Sequence, residues 1–289
     1  MFKKFGSLLF LAVGAITLLA ITASAKDVST IKLSTPIPAD GMVMTPEGDL
    51  LVAAAWDGST VNKIDLPMGT ISRFTDGLAG PIALTFGKNG DLYASNWRGS
   101  TISLIGEGRP PVDWAEVGPK GDALALDSVG NIWITVGSAN AIKRVSPDGV
   151  VSTVAEGGIL KYPLGLALRE DDTAFVGGGQ SGEIYKVTSD GQVSLFAQVP
   201  GAGEWKIGHL LYAGGRLFAS GLQSNQIFEI GMDGTVTVLA GSGKEGHEDG
   251  NTADATFSFP VSLSVSGDGK YLYVLAGGKP TDALRRIEL

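Results

Sequence analysis

The chain has 289 residues, 42 of them glycine and none cysteine, with 22 basic against 30 acidic side chains and a formal charge of −8. The lack of cysteine excludes disulfide bracing and a lipidated-cysteine anchor, so stability must come from burial. The acidic balance makes a phosphate backbone or an anionic lipid surface a poor partner, and nucleic-acid binding is set aside.

The chain opens with Lys3 and Lys4, an uncharged run from Phe5 to Ile21, and Thr22-Ala23-Ser24-Ala25. A basic start, an apolar stretch and small residues before a cleavage point predict a signal peptide over 1–25. Residues 26–289 form the mature chain, expected to be periplasmic or secreted, with no membrane attachment after cleavage. Losing Lys3 and Lys4 moves the formal charge from −8 to −10. Next comes Ser29-Thr30-Ile31-Lys32-Leu33-Ser34, an alternating strand with no hairpin partner of its own.

From there a repeat governs the sequence. Tight-turn signals occur at Pro46-Glu47-Gly48-Asp49, Lys88-Asn89-Gly90-Asp91, Ser128-Val129-Gly130-Asn131, Glu170-Asp171-Asp172, Ala213-Gly214-Gly215 and Ser266-Gly267-Asp268-Gly269. Each lies between short apolar runs, the mark of a hairpin whose turn needs positive φ. Positions 48, 90, 130, 172, 215 and 269 are spaced by 42, 40, 42, 43 and 54 residues. The third unit reads as four strands, Asp122 to Asp127, Asn131 to Val136, Ala141 to Ser146 and Val150 to Ala155. A period near forty with four strands per unit predicts an all-β, six-bladed β-propeller in one domain. The sixth unit ends one strand short, so the strand at Ser29–Ser34 is expected to complete blade six and close the ring.

The motifs also resemble a known repeat. Pro163-Leu164-Gly165-Leu166-Ala167-Leu168, Gly130-Asn131-Ile132-Trp133-Ile134 and Ala141-Ile142-Lys143-Arg144-Val145-Ser146-Pro147-Asp148-Gly149 look like the NHL repeat. The stretch from Ala240 through Asp249-Gly250 to Pro260 is similar to the long inter-blade connection of NHL propellers. The wider group includes gluconolactonase-like hydrolases, streptogramin-lyase-like enzymes and plain binding scaffolds. The resemblance therefore implies the fold and leaves activity open.

Binding groups are expected on the face carrying the inter-blade links and the turns between second and third strands. Trp56-Asp57-Gly58-Ser59-Thr60 and Trp97-Arg98-Gly99-Ser100-Thr101 are nearly one pentapeptide, and Glu204-Trp205-Lys206 brings a third indole. With Asn140, Gln180, Gln223, Asn225, Lys279 and Asp282 around them, Trp56, Asp57, Trp97, Arg98, Trp205, Gln180 and Gln223 are candidate ligand-binding residues. Each indole fits a second role equally, as a cap packed between blades.

The inner strands line the channel. Counting back nine residues from Asp49 and from Asn131 reaches Asp40 and Asp122. The same count gives Ile82, Leu164 and Ile207, then falls near Val261 and Ser262. His209 lies two residues beyond Ile207 and is expected on the same side of its strand. Asp40 and Asp122 are candidate metal ligands, with His209 and Glu204 as candidate catalytic groups. Both carboxylates also suit a second role, capping backbone N–H groups at the strand starts.

Resemblance to the gluconolactonase-like branch, carried by Pro38-Ala39-Asp40-Gly41-Met42, implies calcium or another divalent cation that polarises a lactone carbonyl. That branch uses more oxygen donors than Asp40 and Asp122, and Leu164 stands where one belongs. Resemblance to the lyase type implies a histidine base, and His247 lies in a polar loop. Two functions follow as expectations: a monomeric scaffold holding a small molecule or a protein loop at the channel mouth, with no required cofactor, or a metal-dependent lactone or ester hydrolase.

Overall fold

The computed structural model describes residues 26–201, 203–277 and 281–289. The leader, Lys279 and the side chain of Asp282 lie outside the described residues.

Six antiparallel sheets form the ring, each read from the channel outward. Blade one comprises Met42–Met44, Leu50–Ala53, Val61–Asp65 and Thr70–Thr75. Blade two comprises Pro81–Phe86, Leu92–Asn96, Thr101–Gly106 and Arg109–Glu116. Blade three comprises Gly121–Leu126, Ile132–Val136, Ala141–Val145 and Val151–Glu156. Blade four comprises Pro163–Leu168, Ala174–Gly178, Glu183–Val187 and Val193–Gln198. Blade five comprises Ile207–Ala213, Arg216–Gly221, Gln226–Ile230 and Val236–Ala240. Blade six takes Pro260–Val265, Tyr271–Ala276 and Thr281–Glu288 from the end of the chain and Asp27–Ile37 from its start. The expected closure is therefore the observed one, with Val28 opposite Ile287 and Lys32 opposite Ala283.

Two details exceed the sequence expectation. The closing strand runs over Asp27–Ile37, and the two-residue strand Gly250–Asn251 covers its outer edge, giving this sheet a fifth member. Among the described residues no helix is long and apolar enough to cross a membrane. The turns behave as read: Gly48 and Gly130 have φ of 97° and 99°, a region glycine enters without steric cost.

Why the second strands read as unbroken apolar runs is explained by the packing. Leu50 and Val52 point into the seam between blades six and one, while Leu51 and Ala53 enter the seam between one and two. Strand alternation thus feeds both neighbouring seams at once. Each of the six seams has its own apolar cluster, so the core is a closed belt rather than a single centre.

A polar clasp fixes the closing strand. The Arg285 side chain is 1 % exposed and donates to Asp249 Oδ1 (2.7 Å), to the His247 and Glu248 carbonyls (2.6 and 2.7 Å) and to Thr30 Oγ1. Thr30 donates to the same carboxylate through its hydroxyl (2.7 Å) and its amide (3.2 Å). Removing one partner of a buried charge costs more than the bond itself, because the other charge stays desolvated. Asp249→Ala is expected to destabilise the protein by about 2–3 kcal/mol, given the carbonyls that remain to Arg285. Thermal unfolding should show Tm lower by roughly 4–10 °C. A change below about 1 °C would show that the clasp does not hold the ring.

Candidate functional site

In blades two to six the top of the inner strand departs from regular pairing. In blade three Gly121 faces Val136 and Leu124 faces Ile134, so three steps on one strand oppose two on the other. The same offset occurs between Pro81 and Leu84, Pro163 and Leu166, and Ile207 and Leu210. Such bulges leave an amide unpaired and re-aim side chains. In three blades a buried hydroxyl on the second strand takes up the loose amide. Ser95 Oγ accepts from Ala83 N (3.1 Å), Thr135 Oγ1 from Ala123 N (3.1 Å) and Ser220 Oγ from His209 N (2.8 Å). Thr135 also donates to the Leu164 carbonyl (2.7 Å), tying blade three to blade four.

The bulge corrects one sequence expectation. Ile207 and His209 do not share a side: Ile207 is fully buried in the seam between blades four and five, while Gly208 and His209 face the channel. Blade one reaches the channel differently. Asp40 donates its amide to the Ala53 carbonyl (2.9 Å), and Gly41 follows it. A Cβ on Gly41 would lie 2.0 Å from the Ile82 carbonyl oxygen, so only glycine lets these two inner strands meet.

These strand tops enclose a cavity of about 260 Å³. Asp40, Asp122 and His209 line it with Trp56, Trp97 and Trp205. Ile82, Leu164, Leu222, Phe259 and Val261 complete its mostly apolar wall. The remaining candidates stand outside that lining. Asp57, Arg98, Gln180, Gln223 and Glu204 are exposed at the rim. Gln180 donates to Glu204 Oε1 (3.3 Å), and Gln223 Oε1 accepts from the Trp205 amide (2.7 Å), which holds the third indole in place. Asn140 and Asn225 use their side-chain oxygens on the amides of Tyr162 (2.8 Å) and Phe259 (2.9 Å), so they fix inter-blade links. His247 is exposed on its loop, away from the lining.

Among the indoles, Trp56 is 53 % exposed, while Trp97 and Trp205 are half-buried. Lys120 Nζ lies 5.8 Å from the ring centres of both Trp97 and Tyr162, and Tyr162 meets Trp205 edge-on at 5.4 Å. The rim is therefore braced from blade to blade by aromatic and cation–π contacts.

The electrostatics of the cavity are unusual. Burial raises the Asp40 carboxyl to about 7, although part of its surface faces the channel. Burial and then the Asp40 charge hold Asp122 well above the ordinary carboxylate range, with the Ala123 amide opposing them. Neither forms an ion pair, and the Asp40 carboxyl has no hydrogen-bond partner among the described residues. Burial lowers His209 to about 4. Its Nδ1 accepts from the Leu263 amide (3.3 Å), which places the proton of the neutral ring on Nε2. In that form Nε2 donates a hydrogen bond rather than accepting a proton, which does not suit His209 as a base.

The trio shares a cavity, yet among the described residues no three Asp, Glu, His or Cys side chains converge as ligands for one ion. A hard cation takes about six oxygens. Two carboxyls inclined to keep their protons, within apolar walls, do not fit a tightly held divalent cation. Chelation followed by millimolar Ca²⁺, Mg²⁺, Mn²⁺ or Zn²⁺ is accordingly expected to leave Tm within about 1 °C. A native-state ligand at a hundredfold excess over Kd would add about 2.7 kcal/mol.

The carboxyls also set a pH dependence. The folded value of Asp40 lies above its unfolded one, so its stabilising contribution is full below about pH 4 and is lost as pH rises through 7. Asp40→Asn removes that loss. The variant should match the parent near pH 4 and exceed its Tm by several degrees at pH 8. An unchanged difference across that range would refute the burial of this carboxyl.

No model of a known protein family matches the sequence. A curated relative, virginiamycin B lyase of Nocardia farcinica, is 29 % identical over 160 residues, 54 % of this chain. The chain spans 55 % of that protein's length. The structure of a gluconolactonase from Xanthomonas campestris superposes with a TM-score of 0.68 at 15 % identity, covering 93 % of this chain and 96 % of that one. An auxiliary nutrient binding protein from Bacteroides thetaiotaomicron gives 0.72 at 11 % identity, covering 91 % and 76 %. At such identities the likeness is one of fold: the chain is a six-bladed β-propeller, and these neighbours share that ring.

Proposed function

We propose that this protein is an exported propeller that holds a small organic molecule in the aromatic mouth of its central channel. One observation carries the reading: a cavity lined by three indoles whose only ionisable groups, among the described residues, are Asp40, Asp122 and His209. Its volume, about 260 Å³, lies just under the roughly 300–1,000 Å³ of drug-sized sites, which suits a ligand of metabolite size. A ring-wide apolar wall with a few converging polar groups is the usual composition of such sites. The nutrient-binding neighbour supports the reading by analogy of fold. Export is supported by the leader pattern at residues 1–25.

The indoles themselves report on binding. Trp133 is fully buried, with its Nε1 donating to Asp127 (3.0 Å), and Trp114 packs on Tyr93 away from the cavity. A ligand in the mouth should change the fluorescence of Trp56, Trp97 and Trp205 and leave those two unaffected. Neutral sugars, sugar lactones and small amines titrated against the mature protein are expected to yield at least one saturable quench. Trp97→Ala and Trp205→Ala should each weaken the ligand found by about ten- to a hundredfold, equivalent to about 1.4–2.7 kcal/mol. Equal affinity in the parent and in the double variant would sink the reading.

A further inference from the structure

We infer that the ligand of this cavity is an organic cation, its ammonium group lodged by Asp40 and Asp122 and its apolar body against the indoles. The inference rests on the binding-site reading above and adds the ligand's charge.

The argument begins with what is missing around the two carboxyls. Among the described residues no Lys or Arg lines the cavity, and neither aspartate appears in an ion pair. A carboxyl removed from water needs a proton or a countercharge. The described residues supply no countercharge here, so the empty cavity falls back on protons. An ammonium group would provide the absent partner. A neutral ligand would leave the need unmet, and an anion would be repelled.

The walls fit the same guest. Cations bind well over indole faces, and removal from water strengthens the contact. Three indoles and Phe259 line this one cavity. The rim already shows the interaction with a side chain of the protein, Lys120 over Trp97. Nor does the third ionisable wall group oppose a cation. His209 faces the cavity from blade five as a neutral ring, since the Leu263 amide occupies Nδ1. Among the described residues, blades two, four and six present only Ile82, Ala83, Trp97, Leu164, Phe259, Val261 and Ser262, none of which titrates as an acid or base there. The rim charges Asp57, Arg98, Lys120 and Glu204 are exposed to solvent.

Binding should then release protons. As the ammonium enters, the carboxyl pair gives up a proton to the buffer, and affinity rises with pH through the range in which Asp40 titrates, near 7.

The test is calorimetric titration of the mature protein with 2-phenylethylamine and choline, against the neutral 2-phenylethanol and glucono-lactone. Runs at pH 5.5 in acetate and in MES, and at pH 7.5 in phosphate and in Tris, read proton release from the difference in heat between the two buffers. The expected result is at least tenfold tighter binding of an amine than of the alcohol. That preference should grow with pH and be accompanied by proton release. Asp40→Asn and Asp122→Asn should each weaken the amine at least tenfold and leave the alcohol unchanged. Removing either carboxyl is expected to stabilise the fold, so loss of binding does not report unfolding; circular dichroism verifies this. Alcohol binding as tight as amine binding, or amine affinity unmoved by both substitutions, overturns the inference. If only a neutral probe binds and Trp97→Ala weakens it, the cavity reading stands and the cation falls. If no probe binds in a tryptophan-dependent way, both fall together.

Discussion

The geometry of the channel depends on how the two ends of the chain meet in blade six. Strand Asp27–Ile37 pairs with Thr281–Glu288 and supplies Leu33 and Ile37 to the seam between blades six and one. Its first residues supply Val28 to the seam between five and six. Two of six apolar seams therefore rely on a segment far from them in sequence, and the loop-closure entropy of joining them must be offset by burial. The Arg285 clasp fixes the register of that join by gathering Thr30, Asp249 and two carbonyls on one guanidinium. The same strand leads directly through Pro38 and Ala39 to Asp40. Closing the ring and positioning one half of the carboxyl pair are thus one structural event.

The other half comes from the bulges. A regular inner strand would turn its side chains alternately into two seams and leave little but backbone at the channel mouth. The extra residue brings Ile82 and Ala83, Asp122 and Ala123, Leu164, and Gly208 and His209 to the mouth in blades two to five, and the hydroxyls of Ser95, Thr135 and Ser220 accept the amides so released. In blade four the matching position is Gly177, where a Cβ would lie 2.7 Å from Ile207 Cγ2. There the neighbouring blade fills the space instead of a hydroxyl. Each bulge is thus stabilised locally, and the mouth can vary its lining without altering the belt of seams.

The same separation explains which parts were legible in the sequence. Turn residues such as Gly48 and Gly130, and the alternation of Leu50 to Ala53, are dictated locally, so period and blade count follow from residue type alone. The closing strand was legible because the last unit lacks a partner. Asp40 and Asp122 are reached by counting from the turns, since equal spacing puts equal positions at equal heights, while Trp56 and Trp97 show in their repeated pentapeptide and Trp205 in an inter-blade link. Counting failed for Ile207 and His209, because a bulge breaks period two without any composition signal. The apolar wall at Leu222 and Phe259 also gave no signal, being indistinguishable from core. Asn140 and Asn225 were misleading for a related reason: their positive φ, 48° and 53°, marks a side chain that serves the backbone of the next blade.

A propeller of this shape serves a lyase, a gluconolactonase and a nutrient-binding protein, so the ring itself decides nothing about chemistry. What decides it is the set of side chains at the six inner-strand tops. In this chain those groups pull in opposite directions when the cavity is empty. The carboxyls favour low pH because burial penalises their charge, whereas His209 loses stability as pH falls from 6.5 through about 4. Between those values the two effects offset each other, and above about 6.5 only the carboxyl penalty remains. A fold selected for stability alone would place apolar side chains at both aspartate positions, as it does with Ile82 and Leu164 in the blades between and beyond them. The electrostatic cost is concentrated where the apolar wall is open to an incoming molecule, which is the ground for proposing Asp40 and Asp122 as the specificity-determining pair.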